Sequence, residues 1–158
     1  MAQDIAANPI QKIVIQITVG SHRMSATDDP LFLHLHGPSG REFRLLLAHG
    51  QSLRKGSADE YILGPPDDGD TNVEHPELND PTAPAIDSHG VKRVSIRKGL
   101  DPIPNVRGIA ELDDRVEIQM ARVEIHSADG GPPTCYERNG PFWLGLSCGL
   151  SVALAPAP

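Results

Sequence analysis

Cysteine is nearly absent. Cys135 and Cys148 are the only two among 158 residues, too few for a disulfide scaffold. Free thiols in a cytoplasmic protein are the expectation, with a single bridge left open because both cysteines flank a hairpin-like stretch. No window of about 18 apolar residues occurs, so no transmembrane segment is expected. The opening "MAQDIAANPIQK" lacks a charged stretch followed by an apolar one, so no signal peptide is expected either. Bases are outnumbered, 14 Lys and Arg against 21 Asp and Glu, for a net charge of −7. That balance argues against nucleic acid as a partner, because phosphates need cationic neutralisation. It also argues against docking on anionic lipid by charge alone, although a divalent cation would reverse the sign locally. No stretch carries the 3.6-residue apolar period of an amphipathic helix.

What is present is alternation, punctuated by 15 Gly and 15 Pro. "KIVIQITVG" places Ile13, Ile15, Ile17 and Val19 on one face, the pattern of a half-buried strand. "LFLHLHG" turns Leu31, Leu33 and Leu35 inward and Phe32, His34 and His36 outward. The turn "PSG" and the strand "REFRLLL" close a hairpin with it. "DEYILG" is a short strand. "VKRVSIRKG" offers Val91, Val94 and Ile96 to a core. "DRVEIQMARVEIHSADGG" carries Val116, Ile118 and Met120 in one phase and Val123 and Ile125 in the other, which a bulge near Ala121 reconciles. "TCYERNGPFWLGLSCGLSVALAP" gives one or two last strands, broken at "NGP". Between Gly64 and Gly90 lies a Pro- and Asp-rich segment with no period, an insertion loop of a length that is usually functional or flexible. The chain is thus one domain, residues 1–158. Its core covers about 11–154, its long loop 64–90, and its frayed tails 1–10 and 155–158. The fold class is all-β, an antiparallel β-sandwich of about seven or eight strands.

The order of these pieces resembles the PLAT domain, also called LH2. This is a C2-like β-sandwich found at one end of lipoxygenases and in lipases and bacterial toxins. "IQITVG" is followed by "SATDDPLFLHLHGPSGRE", similar to the family's Gly-Thr-Asp-led strand and Gly turn. "LRKGSADEYIL" is similar to its Phe-x-Arg-Gly-Ser-x-Asp-x-Phe stretch. "VKRVSIRKG" stands in the place of the next central strand. "ARVEIHSADGG" and "CYERNGPFWL" resemble the closing strands. Ala26 stands where the family has Gly, and "RVEIQM" has no counterpart of the family's Trp. The resemblance implies a docking role toward a membrane, a lipid or a protein partner, beside a catalytic domain that this sequence does not contain.

The resemblance also implies a calcium site, because C2-like sandwiches gather oxygen-bearing loops at one end. Thr27 through its carbonyl, Asp28 and Asp29 match the first calcium loop. Asp113, Asp114 and Glu117 match the acidic place near the missing Trp. The third place holds His49, Gly50 and Gln51, which are poor Ca²⁺ ligands. Read from residues alone, Asp28 and Asp29 instead cap a turn before Pro30. "PPDDGDTNVE" is loosely like an EF-hand start, but its Gly is misplaced and no helix flanks it, so it reads as a solvated acidic loop. His34 and His36 share one strand face, a spacing that suits Zn²⁺ or Cu²⁺ if His49 or His126 approaches. "GLSCG" imitates a nucleophile elbow without the strand–elbow–helix context. Phe142 and Trp143 are the most concentrated bulky apolar pair. They either insert into a lipid interface or plug one end of the core.

Three functions compete. The first is a non-catalytic binding module that docks to protein or lipid, with Ca²⁺ as its candidate cofactor. The second is an assembly subunit that oligomerises through sheet edges or the long loop. The third is a metal-dependent enzyme centred on the histidines. A lipid binder places Trp143 or Phe142 beside the acidic loop; an assembly subunit buries residues 64–90 against a neighbour.

Overall fold

A computed structural model describes residues 7–21, 27, 29–50, 52–99, 115–145 and 148–158. Asp28, Gln51, Asp113, Asp114 and Ser147 lie outside the described residues. Among the described residues eight strands run in order: β1 (Ile10–Val19), β2 (Leu31–His36), β3 (Arg41–Leu45), β4 (Ala58–Leu63), β5 (Arg93–Lys98), β6 (Val116–Ser127), β7 (Thr134–Leu144) and β8 (Ser151–Ala157). Every pairing is antiparallel, in the spatial order β3-β2-β5-β8-β7-β6-β1-β4. The only helical turn among the described residues is the short Ser88–Gly90. The architecture is the all-β antiparallel sandwich that the alternation predicts.

The strands form two layers. One is β3-β2-β5-β8 and the other is β7-β6-β1-β4. β8 serves both: residues 151–154 pair with β5, and residues 155–157 pair with β7. Inward residues of both layers, among them Ile13, Ile15, Leu31, Leu33, Phe43, Tyr61, Val94, Ile96 and Val123, merge into one apolar cluster. Period-2 alternation produces this layer because successive side chains on a strand point to opposite faces.

Four expectations need correction. Residues 155–157 are not a frayed tail, because the edge of β7 at Cys135–Glu137 supplies ladder partners. β7 is not broken at "NGP" but runs on to Leu144. Among the described residues only β6 pairs with it beyond Glu137, so the missing N–H of Pro141 lies on the side away from β6, where proline is tolerated. The irregularity in β6 falls between Ile118 and Met120, so Ala121 is in the core and Met120 is half-buried. Val91 packs half-buried against the core rather than inside it.

The segment from Gly64 to Gly90 does not wander. β3 and β4 are the two outermost strands of the order, and this segment is bonded to both. Asn72 treats β4 as a neighbouring strand would. Its Oδ1 accepts from the Ile62 N–H at 2.8 Å, and its Nδ2 donates to the Glu60 carbonyl at 2.8 Å. Across the seam, the Ala48 N–H donates to the Asn72 carbonyl, and the Glu74 N–H donates to the Leu46 carbonyl. Asn79 Oδ1 accepts from the Arg44 N–H at 2.8 Å. Arg41 donates to the carbonyls of Asp80 and Ala83. Val73 and Ile86 are buried in the same core. An exposed strand edge is a template for pairing with other chains, and here the chain covers its own.

Candidate functional site

Strand direction sorts the connections between two ends. β1, β3, β5 and β7 finish, and β2, β4, β6 and β8 begin, at one end, called here the loop end. The β2–β3 and β6–β7 turns and the start of the segment 64–90 lie at the other, from which that segment runs up beside β4 and β3. The pairings Leu31 with Leu45, Leu31 with Lys98, Thr18 with Ala58 and Val116 with Leu144 fix this arrangement. Thr27, Asp29, His49, Glu117, Phe142 and Trp143 therefore all belong to the loop end, although they come from four separate stretches.

Within that end the acidic residues are turned inward. The Asp29 carboxylate meets the Lys98 ammonium at 2.5 Å, with side-chain exposures of 9% and 0%. The Asp29 N–H donates to Thr27 Oγ1 at 3.1 Å, and the Thr27 N–H donates to the Leu53 carbonyl at 3.2 Å. Thr27, Asp29, Pro30, Ser52, Leu53 and Arg54 line a cleft of about 150 Å³. Glu117 is buried elsewhere on this end. Its carboxylate accepts from Gln119 Nε2 at 2.7 Å and lies over Gly20, where a Cβ would fall 2.0 Å from Oε1. Asp59, also buried, accepts from the Leu53 N–H and the Ser57 hydroxyl. Among the described residues, no three His, Cys, Asp or Glu side chains are placed to hold a metal ion.

The outward face of this end is cationic and aromatic. Arg54, Lys55 and Arg115 are exposed on it. Arg115 stacks over the Trp143 ring at 4.9 Å, and Arg138 over Phe142 at 5.4 Å, within the range of cation–π attraction. Trp143 sits opposite Glu117 in the ladder, while Phe142 leans on the core. Both rings are half-buried. The exposed carboxylates of Asp67, Asp68, Asp70 and Asp129 belong to the opposite end, near Lys12 and Asn8, while the stretch carrying Glu74 and Glu77 runs along β3 between Leu46 and Arg44. Sequence reading passed over Lys98, whose phase with Val94 and Ile96 marks it as inward. It also passed over the cations Arg54, Lys55 and Arg115.

The remaining motifs resolve plainly. His34 and His36 stack with ring centroids 3.8 Å apart, and His36 Nε2 lies 2.8 Å from Ser95 Oγ. Burial, the His34 ring and Arg93 together lower the pKa of His36. His49 is exposed on the β3–β4 connection, and His126 lies on β6 in the other layer. Gly145 pairs with Gly149, so the ends of "GLSCG" meet between β7 and β8. Of the EF-hand-like stretch, Asp70 faces Lys12 at 4.0 Å and Asn72 holds β4. Neither Cys135 nor Cys148 is in a disulfide. No helix among the described residues is long and apolar enough to cross a membrane.

No protein-family model matches the chain, and no curated protein does. Solved structures do. The alpha-toxin of an avian strain of Clostridium perfringens is similar over 97% of this chain and 33% of its own, with a TM-score of 0.60 and 15% identity. The alpha-toxin of Clostridium absonum is similar over 97% of this chain and 32% of its own, with a TM-score of 0.57 and 14% identity. Coral 8R-lipoxygenase, which calcium activates via a C2-like domain, is similar over 92% of this chain and 17% of its own, with a TM-score of 0.56 and 12% identity. The chain spans about a third or less of each. At such identities the likeness is one of fold, and that fold is the PLAT-like sandwich implied by the order of motifs.

Proposed function

We propose that this domain is a non-catalytic docking module that sets its loop end on a lipid surface. One observation carries the reading: among the described residues, the loop end presents the Trp143 ring under Arg115 together with the exposed cations Arg54 and Lys55, while the exposed carboxylates of Asp67, Asp68, Asp70 and Asp129 lie at the far end. β1 alone spans ten residues, roughly 30 Å at about 3.3 Å per residue. The far carboxylates are thus several Debye lengths away at physiological salt, where that length is about 8 Å. Each Lys or Arg close to an anionic leaflet contributes about 1 kcal/mol, so three supply a weak bias. An indole at the headgroup level adds an apolar anchor. The similar structures support the reading to the extent that one of them uses a C2-like domain in calcium activation.

The test is co-sedimentation with vesicles of phosphatidylcholine, with and without phosphatidylserine. Binding is expected only with the anionic lipid, weakening as salt rises. It should fall several-fold in Trp143→Ala and in the double charge reversal Arg54→Glu/Lys55→Glu. Absence of binding at low salt, or binding indifferent to both variants, would remove this reading.

A further inference from the structure

The PLAT-like fold implies Ca²⁺ at the loop end, and Asp29 is one of the residues matched to that role. The donor set around it does not fit. Ca²⁺ takes six to eight oxygens at about 2.3–2.6 Å. The Asp29 carboxylate is instead 2.5 Å from the fully buried Lys98 ammonium, which also donates to the Gly99 carbonyl at 3.2 Å. A divalent ion on the same carboxylate would sit beside a like charge that is shielded from water.

We propose that Lys98 is the resident counter-ion of Asp29, taking the place of a bound divalent cation. The geometry shows what the ammonium holds together. Asp29 belongs to the β1–β2 connection and Lys98 to the last position of β5. The Gly99 N–H returns a bond to the Pro30 carbonyl at 2.8 Å, and Thr27 ties the same connection to Leu53 on the β3–β4 connection. The buried cation therefore fastens β5 to the β1–β2 connection, which Thr27 in turn ties to the β3–β4 connection, the kind of task a loop-bridging metal performs. The register explains how it came to be there. Asp29 extends the inward phase of Leu31, Leu33 and Leu35, while Lys98 extends that of Val94 and Ile96 and pairs with Leu31 across the ladder. Two opposite charges thus enter the same end of the core from adjacent strands, where each satisfies the other.

The test is thermal unfolding of the whole chain in millimolar CaCl₂ and in EDTA, read together with amide cross-peaks in nitrogen–proton NMR spectra of the wild type. The Thr27, Asp29 and Gly99 amides should not move on adding Ca²⁺. Lys98→Met should melt roughly 5–15 °C lower, as expected when a buried pair loses one partner. Adding Asp29→Asn to Lys98→Met should recover part of that loss, because no unpaired charge then remains. Calcium-dependent shifts of those three amides in the wild type would overturn the proposal, even if Lys98→Met does not fold. So would a calcium-induced rise in the wild-type melting temperature that Asp29→Asn abolishes. None of these measurements involves lipid, so their outcome is separate from that of the docking test.

Discussion

Replacing Asn72 by Ala tests whether the segment 64–90 acts as a substitute strand. The side chain makes two bonds to the outer edge of β4, both at 2.8 Å. A net hydrogen bond contributes about 0.5–1.5 kcal/mol, so the pair offers about 1–3 kcal/mol. The bond to the Glu60 carbonyl is exposed, and water replaces part of it, which favours the lower half, about 1–2 kcal/mol. For a chain of this size each kcal/mol moves the melting temperature by about 2–4 °C, giving a fall of about 2–8 °C. Urea unfolding supplies the free energy directly, with the slope expected to stay unchanged because the buried surface hardly alters. Asn72→Asp is the sharper variant. It keeps an acceptor for the Ile62 N–H but cannot donate to Glu60, and it sets a charged oxygen against that carbonyl. It should cost at least as much as Asn72→Ala. If either variant falls within the roughly 0.5 kcal/mol of an ordinary surface change, the strand-mimicry argument is wrong.

Two further outcomes follow from particular contacts. The pKa of His36 is held below its ordinary 6.5 by burial, His34 and Arg93, against an opposing pull from Glu42. The unfolded chain therefore binds the proton first on acidification, and the stability this residue contributes is present above pH 6.5 and is lost as pH falls through the lowered value. The stability of the wild type relative to His36→Gln should decline from about pH 7 to about pH 5; a constant or rising difference would refute it. Gly140→Ala should destabilise by about 1–3 kcal/mol or more in urea, because the new Cβ would lie 2.2 Å from the Ile118 carbonyl oxygen. An unchanged midpoint would mean that the backbone there is less constrained than the contact implies.

The strands were legible because alternation is a local signal. Ile13 to Val19 and Leu31 to Leu35 declare their faces without reference to anything distant. The order of the segment 64–90 was not legible, because what organises it is the unpaired backbone of β3 and β4, and no local pattern in Asn72 or Asn79 announces such a partner. The stretch around Pro141 was read as a break because proline removes a ladder donor. Only the sheet order reveals which sides of β7 are open. The loop end was half legible: the resemblance pointed to Thr27, Asp29 and Glu117, whereas the setting of Asp29 against Lys98 and of Glu117 over Gly20 comes from burial. Lys98 could have been found from its phase, yet a lysine in phase with Val94 and Ile96 at a strand terminus is ordinarily assumed to reach solvent.

β8 has a consequence for how the molecule comes apart. It gives its first half to β5 and its second half to β7, so neither layer owns it. Detaching it would strip the margin of both at once and bring water to Leu154. Opening is therefore not expected to stop at a halfway state with one layer intact, and the amides of the two layers should exchange as one cooperative unit.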